Sequence, residues 1–213
     1  MLIAACAVGS ARPSLAAGSL NWTDVPGDAT GVDPLPPPGD GLVTSTPRPQ
    51  DEGLDLLAAT AASDGQTIVF TARTAKDAMP AGATGATLRF LFSYEGAGYQ
   101  FIAQRTAPDF SAAFTTALFL RARQATSSEL TCKECTVKYD PKNSSVTIRA
   151  QIASLAVGIK EHSPKSKKFA PGAKLTDFIV LSQRNLALAA RNVDLARTLT
   201  VDMAPAKGMT LVV

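Results

Sequence analysis

The pattern that most constrains the fold of this chain is the alternation of apolar and polar side chains in residues 135–152. The turn sequence Asp140-Pro141-Lys142-Asn143 divides this segment, with proline at the second turn position and an asparagine that tolerates positive φ. In the return half, apolar and polar residues interleave: Val146, Ile148, Ala150 and Ile152 with Thr147, Arg149 and Gln151. Because successive side chains of a strand point to opposite faces, this alternation predicts an antiparallel hairpin with one face on a core.

Short segments rich in apolar, β-branched and aromatic residues, separated by turn residues, also occur on both sides of this hairpin. The predicted strands are residues 54–62, 66–74, 87–94, 99–105, 115–121, 175–183 and 209–213. A short helical turn is predicted at 153–159 and a polar loop at 160–172, whereas 186–196 fits either a helix or a buried strand. Such spacing predicts an all-β domain over residues 54–213, an immunoglobulin-like or jelly-roll antiparallel β-sandwich.

The segment before this domain is dominated by proline, glycine and aspartate. Residues 18–53 contain seven of the 14 prolines in the chain. Proline has a fixed φ and no amide hydrogen, so it interrupts both helices and sheet ladders. We therefore predict an extended Pro/Gly/Asp-rich arm over residues 18–53.

The first 17 residues resemble the end of an export signal. An apolar stretch is followed by small residues at Ala16 and Ala17, as at a signal-peptidase cleavage site. We interpret residues 1–17 as a signal peptide remnant, which predicts a secreted protein of the medium or the cell envelope. Two alternatives stay open. Ile3-Ala4-Ala5-Cys6 resembles a lipobox, in which Cys6 would carry a lipid anchor as the only membrane attachment, and the apolar start could also be accidental.

Charge is distributed unevenly along the chain. Residues 1–65 hold eight acids and two bases, 66–131 four acids and six bases, and 132–213 six acids and thirteen bases, which gives net charges of −6, +2 and +7 and a total of +3. A basic end can contact an anionic envelope polymer or a nucleic acid. Lysines spread over several strands are more often only solvated, so no nucleic-acid partner is expected.

Cys132 and Cys135 form the one CxxC sequence of the chain. A thioredoxin-like site would begin a helix, but the residues after Cys135 have strand character, and a zinc site needs about four ligands. In an exported protein the ordinary state of such a pair is a disulfide. Since disulfide Cα atoms lie within about 7 Å, residues 132–135 must form a turn.

The remaining motifs argue against several activities. His162 is the single histidine and lies in a lysine-rich stretch, which predicts a surface residue rather than a catalytic or metal-binding one. Nucleotide-binding loops and the GxSxG elbow are absent from the sequence. No catalytic residue is predicted, and we expect a non-enzymatic protein. The alternatives are a hydrolase that uses two carboxylates and a partner-binding envelope subunit.

Acidic residues cluster before and at the start of the predicted sandwich. They are Asp24, Asp28, Asp33, Asp40, Asp51, Glu52 and Asp55. Calcium binds six to eight oxygens from carboxylates and loop carbonyls, so this segment is a candidate calcium site, although it lacks an EF-hand loop. Aspartates also favour turns for their own sake. Trp22, beside these acids, fits either a core contact or a sugar-stacking platform.

The order of several short sequences resembles exported actinobacterial β-sandwich domains that are loosely similar to DOMON domains and family 9 carbohydrate-binding modules. These sequences are Trp22-Thr-Asp-Val-Pro-Gly-Asp28, Leu54-Asp-Leu, Gly98-Tyr-Gln-Phe101 and Ser145-Val-Thr-Ile148. The resemblance spans about residues 20–185. It implies a calcium site at Asp24, Asp28 and Asp55, and binding of a ligand such as a carbohydrate or envelope polymer rather than catalysis. The ligand-binding residues remain unknown. With one histidine in the chain, the haem ligands of some DOMON proteins are not matched, and no haem or nucleotide is expected.

Overall fold

The protein is described here by a computed structural model. It describes residues 18–27, 29, 54–76, 86–105, 110–116, 129–186, 197–206 and 208–213. Within these residues the chain forms antiparallel strands in two packed sheets and one short helix, which confirms the predicted all-β sandwich.

The first sheet contains five strands within the described residues. They are β1 (Gly18–Thr23), β2 (Leu56–Ser63), β3 (Thr67–Thr74), β8 (Thr136–Asp140) and β9 (Ser145–Gln151), in the spatial order β1-β2-β3-β9-β8. The predicted hairpin is confirmed as β8 and β9, which pair antiparallel with Val137 opposite Ile148. Its apolar side chains Val146, Ile148 and Ala150 are buried, as the alternation predicts.

The second sheet contains seven strands within the described residues: β4 (Ala86–Tyr94), β5 (Ala97–Arg105), β6 (Phe110–Thr116), β7 (Glu129–Leu130), β10 (Lys174–Leu186), β11 (Arg197–Ala206) and β12 (Leu211–Val212). Their spatial order is β11-β10-β4-β5-β6-β7, and β12 pairs with β10. Helix α1 (Ile152–His162) follows β9.

Aromatic side chains fill the space between the sheets. Phe70 of the first sheet lies 5.9 Å from Phe90 and 5.4 Å from Phe101 of the second, measured between ring centroids. Each of these rings is at most 1% exposed. Aromatic pairs at such distances add packing energy beyond the burial of apolar area, so these contacts join the sheets.

The structure differs from the sequence expectations at both ends. Residues 18–23, predicted to belong to the extended arm, form β1 and pair antiparallel with β2. Strand β11 was not predicted from the sequence. It pairs antiparallel with β10. The helix is longer than the predicted turn and reaches His162, so it includes the start of the predicted polar loop.

Several predictions fall on residues outside the described ranges. These are the signal segment at 1–17 with Cys6, most of the proposed arm at 30–53, Asp28, residues 117–121 of a predicted strand, and residues 187–196. Of the strand predicted at residues 115–121, the structure describes residues 115 and 116. They are the last two residues of β6, which begins earlier than predicted, at Phe110.

The turn between β7 and β8 carries the predicted disulfide. Cys132 and Cys135 are bonded with their Cα atoms 5.5 Å apart, and the Cys135 amide donates to the Cys132 carbonyl. The Lys133 amide donates to the Ser154 hydroxyl at 2.9 Å, which attaches this turn to the first turn of α1. The disulfide therefore closes the turn that joins β7 to β8 and that contacts the start of the helix.

Candidate functional site

The segments that contain two of the three predicted calcium ligands, Asp24 and Asp55, meet at the end of β1 and the start of β2. The Asp24 amide donates to the Leu57 carbonyl at 3.1 Å, and the Gly27 amide donates to Oδ2 of Asp55 at 2.9 Å. These bonds hold the turn at residues 24–27 against the residues that lead into β2. Asp28, the third predicted ligand, lies outside the described residues.

Asp55 is the acid of this group whose environment is most unusual. Its side chain is 2% exposed, and its Oδ1 is buried without a hydrogen-bond partner. No cation among the described residues forms an ion pair with it. A buried carboxylate normally requires hydrogen bonds or a positive partner, because removing its charge from water is costly. A cation would supply the missing interaction.

Asp202 of β11 is a buried acid that the sequence reasoning missed. Its Oδ2 accepts a hydrogen bond from the Leu56 amide at 2.6 Å, and its Oδ1 accepts one from the Met203 amide at 2.6 Å. Because Leu56 follows Asp55 in the chain, this bond holds Asp202 against the backbone next to Asp55. Strand β11 itself was not predicted, although the alternation of polar and apolar residues from Thr198 to Met203 is typical of a strand and could have placed Asp202 in one.

The described acids do not form a complete metal site. Within the described ranges, no group of three or more histidine, cysteine, aspartate or glutamate residues is arranged to hold a metal ion. Asp24 contributes buried oxygen at Oδ2, and its Oδ1 accepts the Val25 amide at 3.0 Å. Further ligands would have to come from backbone carbonyls, water or Asp28, all of which calcium accepts.

A second polar group lies on the face of β4 that points away from the core. Leu88, Phe90 and Phe92 are buried between the sheets, so the alternation of β4 places Arg89 on the opposite face. The Arg89 Nε donates to Oε1 of Gln183 on β10 at 2.5 Å, and its Nη1 donates to Oε1 of Gln100 on β5 at 3.3 Å. Three adjacent strands thus fix one guanidinium group.

The Arg89 charge has no counter-charge within the described part of the chain. Both of its hydrogen-bond partners are neutral amide oxygens, and among the described residues no carboxylate forms an ion pair with it. Burial lowers the pKa of Arg89 below its ordinary value, which reflects desolvation of the cation. Gln100 and Gln183 are 4% and 8% exposed, so the site is fixed rather than mobile at the surface. Such a group is suited to bind an anion.

Apolar side chains surround Arg89 on the same outer face. Leu91, Ile102, Ile179 and Leu181 are each partly exposed there. A partly apolar surface with a few fixed polar groups is typical of ligand-binding sites. No ligand-binding residue was predicted from the sequence. The alternation in residues 87–94 could have indicated that Arg89 faces outward, but not which side chains it meets.

The structure places the remaining candidate residues as follows. Trp22 is 7% exposed and its indole packs 6.2 Å from Phe178, so it is a core residue and not a sugar-stacking platform. His162 is exposed at the end of α1. Among the described residues, no helix has both the length and the apolar character needed to cross a membrane.

Comparison with protein-family models, with curated protein sequences and with solved structures found no match to this chain.

Proposed function

We propose that this chain is an exported, non-catalytic binding module of the cell envelope or medium, with its ligand bound on the outer face of the second sheet. The observation that carries this proposal is the guanidinium of Arg89, fixed by Gln100 and Gln183 without a carboxylate partner. An uncompensated, partly buried cation is costly to keep. A ligand with an anionic group would offset that cost on binding.

The surroundings of Arg89 favour an acidic carbohydrate or another anionic envelope polymer as the ligand. A guanidinium binds a carboxylate through two parallel hydrogen bonds. The amide oxygens of Gln100 and Gln183 orient the guanidinium, and the partly exposed Leu91 and Ile102 beside it suit the apolar face of a sugar ring. The net charge of +3 also favours association with a polyanion.

Binding of short galacturonic acid oligomers would test this function. Titration calorimetry in chelator should give saturable binding, whereas neutral galactose oligomers of the same length should bind more weakly. Arg89→Gln removes a charge-assisted hydrogen bond, so it should lower the affinity for the acidic oligomer by about tenfold or more. Arg149→Gln is a matched control, because Arg149 is an exposed arginine on β9 of the other sheet. Equal binding by the two variants would reject Arg89 as the ligand site.

We further propose that calcium stabilises this module through Asp24, Asp28 and Asp55. Support comes from Oδ1 of Asp55, a buried carboxylate oxygen without a hydrogen-bond donor. When bound, the ion would neutralise these carboxylates and join the turn at residues 24–27 to the start of β2. Extracellular modules use sites with a Kd of about 10⁻⁴ to 10⁻³ M.

Thermal unfolding in calcium and in chelator tests this second proposal. A ten- to hundredfold excess of calcium over its Kd should stabilise the native protein by about 1.4 to 2.7 kcal/mol. Asp55→Asn should abolish the calcium effect. In chelator, however, it should be at least as stable as the wild type, since it removes a buried charge that lacks a cation.

Asp140→Asn is the control for the calcium experiment. Asp140 is the last residue of β8, and its side chain accepts hydrogen bonds from Lys142 and Asn143 of the turn that follows. This variant should keep the full calcium response. If Asp55→Asn lowers stability equally in calcium and in chelator, Asp55 is a structural residue and the calcium proposal is wrong.

A further inference from the structure

A cavity of about 520 Å³ lies between helix α1 and the segment that follows it. Its walls are mainly apolar and its rim is charged. The residues that line it include Ala156, Val157, Lys160, Glu161, Lys168 and Phe169. This volume falls within the range of small-molecule binding sites. The cavity is separate from Arg89 and from the acidic turn at residues 24–27, whose residues do not line it.

The apolar part of the cavity consists of one face of α1 and an aromatic ring. Val157 is 49% exposed and lies on the side of α1 opposite the buried Leu155 and Ile159. Phe169, which also lines the cavity, is 3% exposed and packs edge-on against Tyr94 with the ring centroids 5.0 Å apart. An exposed valine and a phenylalanine on the same cavity wall provide apolar area that water covers only at a free-energy cost.

Hydrogen bonds hold the segment opposite the helix in place. The Ser163 amide donates to the Ile159 carbonyl at 2.8 Å, and the Tyr94 hydroxyl donates to the Lys167 carbonyl at 3.2 Å. The Lys160 Nζ donates to the Pro164 carbonyl, which joins the end of α1 to the segment that follows it. The cavity is therefore formed before a ligand arrives, which reduces the entropy lost on binding.

The rim of the cavity is positively charged. Lys160, Lys167 and Lys168 contribute three cations, against one anion, Glu161. Lys167 forms an ion pair with Glu95 at 3.3 Å. Within the described residues Lys168 has no hydrogen bond or ion pair, so its ammonium is free to bind a ligand. The rim keeps a net positive charge even after Glu95 is counted.

From this arrangement we infer that the cavity binds a single-chain anionic amphiphile, specifically a long-chain carboxylic acid. The acyl chain lies against Val157, Ala156 and Phe169, and the carboxylate lies at the rim beside Lys168 and Lys160. Apolar walls exclude a hydrated polyanion from the interior, and the cations favour an acid over a neutral lipid. This site is independent of the ligand proposed for Arg89.

Binding of oleate to the full chain would test the inference, with oleyl alcohol as the uncharged ligand of the same length. Titration calorimetry below the critical micelle concentration should show one saturable site for oleate. Oleyl alcohol should bind about twofold to fivefold more weakly than oleate, which is the range expected for one exposed ion pair. Lys168→Gln should lower the affinity for oleate by a similar factor and leave the affinity for oleyl alcohol unchanged. Lys138 is an exposed lysine of β8, and Lys138→Gln should change neither affinity.

Val157→Asp places a carboxylate inside the apolar wall and should weaken oleate by about tenfold or more. Because Val157 is on the surface, this variant should still fold. Met203→Asp is the matched control, since Met203 on β11 is 51% exposed and does not line the cavity. It should bind oleate like the wild type.

Three results would overturn the inference. The first is the absence of saturable binding of oleate by the folded protein. The second is equal affinity of Val157→Asp and Met203→Asp for oleate, which would place the fatty acid elsewhere. The third is binding only to vesicles that contain anionic phospholipid, without binding of monomeric oleate, which would indicate a surface that contacts membranes instead of a ligand cavity.

Discussion

Trp22 and Ala204 join the two sheets through one hydrogen bond: the indole Nε1 donates to the Ala204 carbonyl at 3.1 Å. Trp22 belongs to β1 of the first sheet and Ala204 to β11 of the second, 182 residues later in the chain. Trp22→Phe keeps an aromatic ring but leaves this buried carbonyl without its donor. We expect it to lower the free energy of unfolding by about 1 to 3 kcal/mol, measured by urea denaturation.

Ser19→Ala serves as the control for this substitution. Ser19 lies on the exposed side of the same strand, so its loss should change stability by no more than about 0.5 kcal/mol. If Trp22→Phe is as stable as Ser19→Ala, the indole hydrogen bond contributes nothing to the attachment of β1.

Gly158 allows α1 to approach the segment after β7 closely. A Cβ at this position would lie 2.6 Å from the Thr131 carbonyl oxygen, which is closer than atoms in folded proteins normally approach. Helix propensity favours alanine over glycine by about 1 kcal/mol, so a free helix would gain from Gly158→Ala. In this protein the clash of the new Cβ with the Thr131 backbone should outweigh the gain in helix propensity. We expect a net loss of about 1 to 3 kcal/mol in urea denaturation.

The neighbouring Val157→Ala is the comparison for Gly158→Ala. Val157 is on the exposed side of α1, so this substitution should stay within about 0.5 kcal/mol of the wild type. A gain in stability for Gly158→Ala would mean that the helix moves away from Thr131 at little cost.

Local patterns predicted those parts of the fold that depend on neighbours in sequence. The β8–β9 hairpin is one example, because its turn and both of its strands lie within residues 136–151. The strand β1 was missed for the opposite reason. Its six residues precede a proline-rich stretch, and they are extended because Trp22 pairs with Ala59 and reaches Ala204.

The candidate sites depended even more on distant contacts. The sequence singled out Asp24 and Asp55 as acids near turns, and the structure brings their segments together through the bond from Gly27 to Asp55, 28 residues apart. It did not single out Arg89, whose partners Gln100 and Gln183 lie 11 and 94 residues away. Strand order and register decide which side chains meet on a face, and a single sequence does not give them.

The disulfide between Cys132 and Cys135 closes a loop of four residues, so its contribution to stability should be modest. The chain-entropy relation gives roughly 2 kcal/mol for a loop of this size. We expect the double variant Cys132→Ser/Cys135→Ser to unfold at a lower urea concentration than the oxidised wild type. Reductant should lower the stability of the wild type to about that of the double variant and leave the variant unchanged. A wild type that does not respond to reductant, although mass spectrometry shows free thiols, would contradict a stabilising role.

Asp64 should give the β2–β3 turn a stability that depends on pH. Its Oδ1 accepts hydrogen bonds from the Gln66 amide at 2.9 Å and the Thr67 amide at 2.6 Å. These two bonds are the main reason that the pKa of Asp64 lies below its ordinary value of 3.8. A carboxyl group whose pKa is lowered by folding stabilises the native state above the unfolded pKa. That contribution disappears as the pH falls through the folded pKa.

At pH 7 we therefore expect Asp64→Ala to lower the free energy of unfolding by about 1 kcal/mol. This is the usual effect of removing an exposed side chain that caps backbone amides. Asp64→Asn keeps one acceptor oxygen and should fall between alanine and the wild type. As the pH is lowered from 7 to below 3.8, the wild type should approach the asparagine variant, because a protonated Asp64 is a similarly weak acceptor. Urea denaturation of all three proteins across this pH range measures the effect. A constant difference between the wild type and Asp64→Asn at every pH would show that the charge of Asp64 does not stabilise the turn.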